Sequence, residues 1–363
     1  MTAPVNVTLE DLCREQGQPF VSLPGDARKV RTLRTVDGQQ LQSFRQAPMR
    51  WGRVRDVTIF GKSYVTAGPY RAVFVGQSHR NYKTAEFANF YTDEIETAGV
   101  ARPTIAQECC FLGGFSGDVR FFGHFVFEYL YRLVAFDMGS LLRRLPVVVY
   151  QDVPEAWLSF LELYGIPRAD ILRVPQYPAP SFKSVWVTSC PNYLGAEGYA
   201  LWDHGIHEMH ERLRLRAEVD GRGPRRVFIG RRDAAHRRLI NESELWRYLE
   251  SEGFVYADFA GKPAAEQVAM VGSAEIIVTV GGSASVMTHF APKTCTIIEI
   301  LPPHLTGGLG SMCFAAVLGQ RFSRTPARVA DHRQAADAES DIVVDVERVR
   351  EMLERAAKSK ELA

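Results

Sequence analysis

No stretch of this chain approaches the ~18 uninterrupted apolar residues that a membrane-crossing helix needs, so none is expected. The opening residues, MTAPVNVTLEDLCREQGQPF, have no basic segment followed by an apolar core, and do not read as a secretory signal. The six cysteines never fall in a Cys-x-x-Cys spacing, which argues for buried thiols over metal ligands and for a reducing compartment. Neighbouring Cys109 and Cys110 would point to opposite faces of a strand. Neither sign of charge is in surplus: 43 basic against 42 acidic side chains leave a net charge of +1, which argues against non-specific nucleic-acid binding. A local basic pocket is compatible with that balance, because net charge says nothing about clustering. Internal repeats and low-complexity tracts are absent too. The expected location is cytoplasmic, with association at a membrane surface as an alternative; the oligomeric state is left open.

The chain does contain an alternation of short apolar runs and helical segments. The first ~65 residues mix strands and loops that resist placement. Thereafter strands are expected at 71–76, 108–113, 146–151, 170–174 and 184–189, and helices at 83–98, 121–138 and 155–164. The 121–138 segment, FFGHFVFEYLYRLVAFDM, is apolar on more than one side and should be well buried. The pattern loosens over 190–223. It restarts with strands at 226–230, 254–257, 275–280 and 295–300, separated by helices at 242–251, 264–272 and 283–290. A helix at 311–318 and a charged one at 345–358 follow. This predicts an α/β fold of two Rossmann-like domains, 1–205 and 206–363, facing a central cleft, with ligands at the carboxyl ends of the strands.

Three groups in the second half point to an anion. In VTVGGSASV a strand hands over to a helix through Gly281 and Gly282, with Ser283 placed to cap the helix, so free N–H groups are offered where no side chain intervenes. In RVFIGRRDAAHRRLINE, Arg231, Arg232, Arg237 and Arg238 crowd the end of a strand, and a guanidinium fork suits phosphate oxygens. Glu299, flanked by apolar residues in TIIEILPP, needs a partner: the hydroxyls of a ribose, or an arginine from the loop above in a structural ion pair. In the first half, His124 and Glu128 stand four apart on one helix face, a spacing that lets a carboxylate hold the tautomer of a histidine acting as a base. Asp118 is a second candidate base. His204, His207 and His210 fall at spacings of three but on a polar helix read as exposed, and Asp345-Val346-Glu347 opens a terminal helix; neither is read as a metal site.

Taken together, FFGHFVFEYLYRL, VFIGRRDAAHRRLINESEL and AAEQVAMVGSAEIIVTVGGSASVMTHFAPKTCTIIEILPP resemble the catalytic domain of family-61 glycosyltransferases over about 121–303. The matching positions are His124, Phe125, Glu128, Arg132 and Leu133, then Arg231, Arg237, Arg238, Asn241 and Glu242, then Gln267, the 281–285 turn, Glu299 and Pro302. The family pattern has His-Gly-Ala at the turn, where this chain has Gly281-Gly282-Ser283. The resemblance implies a GT-B arrangement and an inverting, metal-independent transfer of a sugar from a nucleotide-sugar donor, with a UDP-sugar favoured, to a hydroxyl acceptor in polysaccharide or glycoconjugate assembly. It implies no cofactor. It casts His124 as base with Glu128 orienting it. Arg231, Arg237, Arg238, Asn241 and the amides of Gly281–Ser283 then fall to the donor, and Glu299 to its ribose. Transfer from another phosphorylated donor, such as ketal pyruvyl transfer, and non-catalytic binding of a sugar or nucleotide are the competing readings.

Overall fold

The computed structural model of the chain describes residues 5–23, 25, 30–34, 40–60, 64–66, 71–74, 101–113, 122–189, 193–195, 198–232, 234–302, 305, 309–331 and 340–361. The helix expected at 83–98 and the loop carrying Asp118 lie outside these residues. Two compact units emerge: Met1–Val30 with Arg45–Met209, and Arg31–Phe44 with His210–Ala363. Both mix helices with parallel-rich sheets. Among the described residues no helix is long and apolar enough to cross a membrane.

The first unit is built on a ten-stranded sheet. Its parallel part runs Ser181–Thr188, Cys109–Gly113, Val147–Tyr150, Ile171–Val174, the strands that the short apolar runs predicted. Val147–Tyr150 and Cys109–Gly113 are buried at every residue, as strands covered on both faces must be. Cys109 and Phe111 join one core with Val54, Val148 and Val185, while Cys110 and Leu112, on the other face, are buried as well. The long strand Met49–Phe60 pairs antiparallel with Ser181–Thr188 and carries the sheet into its antiparallel half. Sequence alternation misses it because its buried apolar residues are Met49, Trp51, Val54, Val57 and Ile59, out of step with a period of two, and Asp56 sits at φ 48° in their midst.

The single helix expected at 121–138 winds in three pieces. Phe122–His124 and Arg132–Met138 are α-helical, and Phe125–Leu130 between them is π-helical. The wider turn bonds five residues apart, and both windings bury the same apolar side chains, so hydropathy does not distinguish them. Phe125, Val126, Phe127, Tyr129 and Leu130 are all buried.

The second unit carries a six-stranded sheet ordered Val255–Tyr256, Arg226–Ile229, Ile276–Val280, Thr296–Leu301, Arg321–Val329, Ile342–Val344. All neighbours are parallel except the last pair. The core is Phe228, Leu245, Leu249, Val278, Ile298 and Ile300 among others. Helices Glu242–Ser251 and Ala264–Gly272 and the 3₁₀ helix Ser283–Phe290 connect successive parallel strands. From Arg226–Ile229 the chain first steps outward to Val255–Tyr256, then returns past its starting strand to Ile276–Val280 and proceeds the other way. The direction of winding therefore reverses between Arg226–Ile229 and Ile276–Val280, and such a switch point opens a crevice at the carboxyl ends of those two strands.

The helix Asp203–Arg216 corrects one expectation in part: one of its faces is buried and takes His210 with it, while His204 is exposed and His207 half-buried. Ile206, Met209, His210 and Leu213 are buried, and His210 donates from Nδ1 to the His289 carbonyl at 2.6 Å. An apolar residue every third or fourth position was present there, diluted by eight charged or histidine neighbours.

Candidate functional site

In the first unit the geometry centres on the π-helical turn. His124 is the residue before it, and Glu128 lies within it. His124 Nδ1 and Glu128 Oε1 are 2.7 Å apart, the ring about a third exposed and the carboxylate mostly buried. A carboxylate only accepts, so Nδ1 carries the proton and the lone pair falls on Nε2. That is the tautomer a general base requires. Arg132, a further turn along and 2% exposed, donates from Nη1 to the Leu112 carbonyl at 3.1 Å and lies 4.7 Å from the centre of the Tyr129 ring. Helix and strand end are thus pinned together where Cys109–Gly113 finishes. Gly113 turns the chain there at φ 87°, a conformation that disfavours any side chain.

In the second unit the two strands flanking the switch point end in Gly230-Arg231 and Gly281-Gly282, and these ends meet. Arg231 folds back so that its Nε donates to the Arg237 carbonyl at 2.9 Å and its Nη2 to the His236 carbonyl at 2.7 Å. Its Nη1 occupies the space a side chain at 282 would fill. Gly282 is extended (φ 172°), a conformation open to any residue, so the glycine makes room for the guanidinium in this pose and answers no demand of the backbone. Arg237 joins from the other side, its Nη1 donating to the Gly281 carbonyl at 3.2 Å. It stands at φ 52°, a left-handed conformation that costs a non-glycine residue roughly 1–2 kcal/mol. Burial, with Arg237 nearby, brings the Arg231 pKa down to about 10 against the opposing pull of Glu242, which leaves it charged at neutral pH. Among the described residues no carboxylate forms an ion pair with the Arg231 side chain.

The remaining candidates are engaged elsewhere. Arg238 pairs with Asp341, its Nε 3.1 Å from Oδ2, and its own main-chain N–H donates to Asp341 Oδ1 at 2.8 Å. Asn241 binds both main-chain groups of Val344, donating to the carbonyl at 2.8 Å and accepting the N–H at 3.1 Å. Glu299 is fully buried; Arg324 reaches its Oε2 at 2.6 Å and the Ser311 hydroxyl donates to its Oε1. Arg324 is the residue directly opposite Glu299 on the adjacent strand, rather than one from a loop above. Ser283 begins the 3₁₀ helix instead of capping it; Gly282 is the cap, and the Ser285 hydroxyl donates to its carbonyl at 2.6 Å. Sequence reasoning did not reach Arg324, Asp341 or Tyr256. Their signal is positional and appears only when strand order and register are known. Among the described residues no cluster of three His, Cys, Asp or Glu side chains is arranged to hold a metal ion.

The model of the family described as Glycosyltransferase 61 matches residues 122–298. The match opens on the helix that bears His124 and closes inside the strand Thr296–Leu301, one residue before Glu299. No curated protein matches the chain.

Proposed function

We propose that this chain, whose residues 122–298 belong to the glycosyltransferase 61 family, is an inverting, metal-independent glycosyltransferase of the GT-B type. It takes a sugar from a nucleotide-sugar donor, UDP-sugars first among them, and passes it to a hydroxyl acceptor in cytoplasmic assembly of a polysaccharide or glycoconjugate. The observation that carries this reading is Arg231: a half-buried guanidinium at a topological switch point whose hydrogen bonds, among the described residues, go to main-chain carbonyls and not to a carboxylate. Carbonyl oxygens and the nearby Glu242 offset its charge only in part, and a diphosphate would supply further negative charge and the oxygens that a guanidinium fork suits.

In the proposed reaction the acceptor oxygen attacks the anomeric carbon from the face opposite the diphosphate. The new C–O bond forms as the bond to the phosphate oxygen breaks, and the acceptor proton passes to His124 Nε2. Glu128 keeps the imidazole in the required tautomer and steadies the imidazolium that results. Arg231 and Arg237 take up the charge of the departing diphosphate, with the amides at Gly282 and Ser283 in support. Arg238 and Asn241 serve the same segment by tying it to Asp341 and Val344, and Glu299 locks two strands to the helix that bears Ser311.

Calorimetric titration with UDP, GDP, CMP, TDP and phosphoenolpyruvate tests donor class. Transfer assays with the nucleotide sugars that bind then test chemistry. His124→Ala should lower turnover by roughly 10²–10⁴-fold while leaving nucleotide affinity unchanged. Full turnover in that variant would remove the base, and binding of phosphoenolpyruvate alone would replace glycosyl by ketal pyruvyl transfer.

A further inference from the structure

We propose that Glu242 and Tyr256 are positioning residues: a brace that fixes the main chain at Arg231 and Arg232, and so sets the pose in which the Arg231 guanidinium meets the donor's diphosphate. The inference rests on the donor reading above. Glu242 is the first residue of its helix and 8% exposed. Both its oxygens are occupied: Oε2 accepts the main-chain N–H of Arg231 at 2.9 Å, and Oε1 accepts the Tyr256 hydroxyl at 2.6 Å. The same Tyr256 oxygen accepts the main-chain N–H of Arg232 at 3.2 Å. Two successive amides leaving the strand Arg226–Ile229 are thereby captured, one by each member of the pair.

The surroundings show that this closure is built in. A side chain at Gly230 would overlap both the Tyr256 hydroxyl and the Glu242 carboxylate, so the glycine makes room for the brace. The Tyr256 ring is fixed edge-on against Phe228 and Trp246, at centroid distances of 5.3 and 5.4 Å. The Arg232 guanidinium covers it at 4.2 Å from the ring centre. Tyr256 ends the strand beside Arg226–Ile229, so the brace spans the outer edge of the segment whose inner edge rests on Gly282. The brace meets Arg231 only at its main chain, and Tyr256→Phe leaves the ring beneath Arg232 in place, so loss of the hydroxyl should act on an anion through the pose of Arg231.

A double-mutant cycle on the full-length protein separates this from a general structural role, using UDP, GDP and inorganic pyrophosphate as probes. Tyr256→Phe keeps the packed ring and removes the hydroxyl. It should weaken binding of the best probe by about tenfold in the wild-type background, and by less than twofold when Arg231→Ala is already present. Equal losses in both backgrounds overturn the inference, because the effect would not run through Arg231. A ligand-free readout runs alongside. Amide hydrogen exchange in the peptide carrying Arg231 and Arg232 should accelerate at least tenfold in Tyr256→Phe and in Glu242→Ala, while the strand Ile276–Val280 stays protected. Unchanged exchange overturns the brace even if nucleotides bind. If the wild type binds none of the three probes, the donor reading fails, and the exchange comparison still decides whether the brace orders the bend.

Discussion

Gly282→Ala is a substitution of one methyl group whose effect the geometry assigns to a different residue. The backbone at 282 is extended, so alanine adopts it without strain and the conformational term is near zero. The methyl carbon, however, would fall inside the Arg231 Nη1 atom and 2.9 Å from its Cζ. The guanidinium must leave its seat. In leaving it surrenders the hydrogen bonds from Nε to the Arg237 carbonyl and from Nη2 to the His236 carbonyl. Hydrogen bonds from a charged group are each worth about 1.5–3 kcal/mol when buried, but these donors swing toward solvent, so the stability loss should stay near 1–3 kcal/mol, the usual cost of overpacking. For a unit of this size that lowers the melting temperature by roughly 2–4 °C per kcal/mol. Anion affinity should fall further. Removing one oriented charge-assisted contact costs about 1.5–3 kcal/mol, or roughly 10- to 150-fold in Kd for UDP or pyrophosphate by calorimetry. Gly282→Ala should thus resemble Arg231→Ala in binding although every arginine is retained, and should add nothing to Arg231→Ala. A Gly282→Ala protein that binds the probes like the wild type, with an unshifted melting curve, would refute the reasoning.

Two further outcomes follow from buried polar groups. Arg324→Met strands the fully buried Glu299 carboxylate with Ser311 alone and should destabilise by about 3–5 kcal/mol in chemical denaturation; adding Glu299→Leu should recover most of that loss. Burial holds the His210 pKa down to about 4, against the hydrogen bond to the His289 carbonyl. The unfolded chain therefore takes up a proton near pH 6.5 that the folded one refuses until about pH 4, and stability should decline across that window on acidification by up to about 3 kcal/mol. His210→Gln should flatten the slope between pH 4 and 6.5, and a slope that persists would exclude His210 as its source.

How much of this was legible depends on how far away the partner lies. Among the parallel strands of the first unit, Cys109–Gly113 and Val147–Tyr150 are continuous apolar runs, Ile171–Val174 and Ser181–Thr188 are interrupted by Arg173 and Lys183, and each was placed to within about three residues. Met49–Phe60 was not, because its apolar spacing breaks at Asp56. The His124–Glu128 pair lies within one helical turn, where spacing alone brings side chains together. Crowding of arginines at the end of a strand was readable as a cationic cluster. The division of labour within it was not, since Arg238 is claimed by Asp341 and Asn241 by Val344, each 103 positions away. Glu299 presents the same difficulty: either partner was chemically sound, and only the register of Thr296–Leu301 with Arg321–Val329 puts Arg324 beside it.

The π-helical stretch Phe125–Leu130 has a consequence for chain length. Such a stretch holds a surplus residue that an α-helix of the same reach would not need. Excising one position there lets the coil tighten while the flanking halves keep their bearings. The length of chain between Glu128 and Arg132 is thus set by the winding as well as by the contacts, and an alignment of relatives pinned on Glu128 can slip by one against an alignment pinned on Arg132.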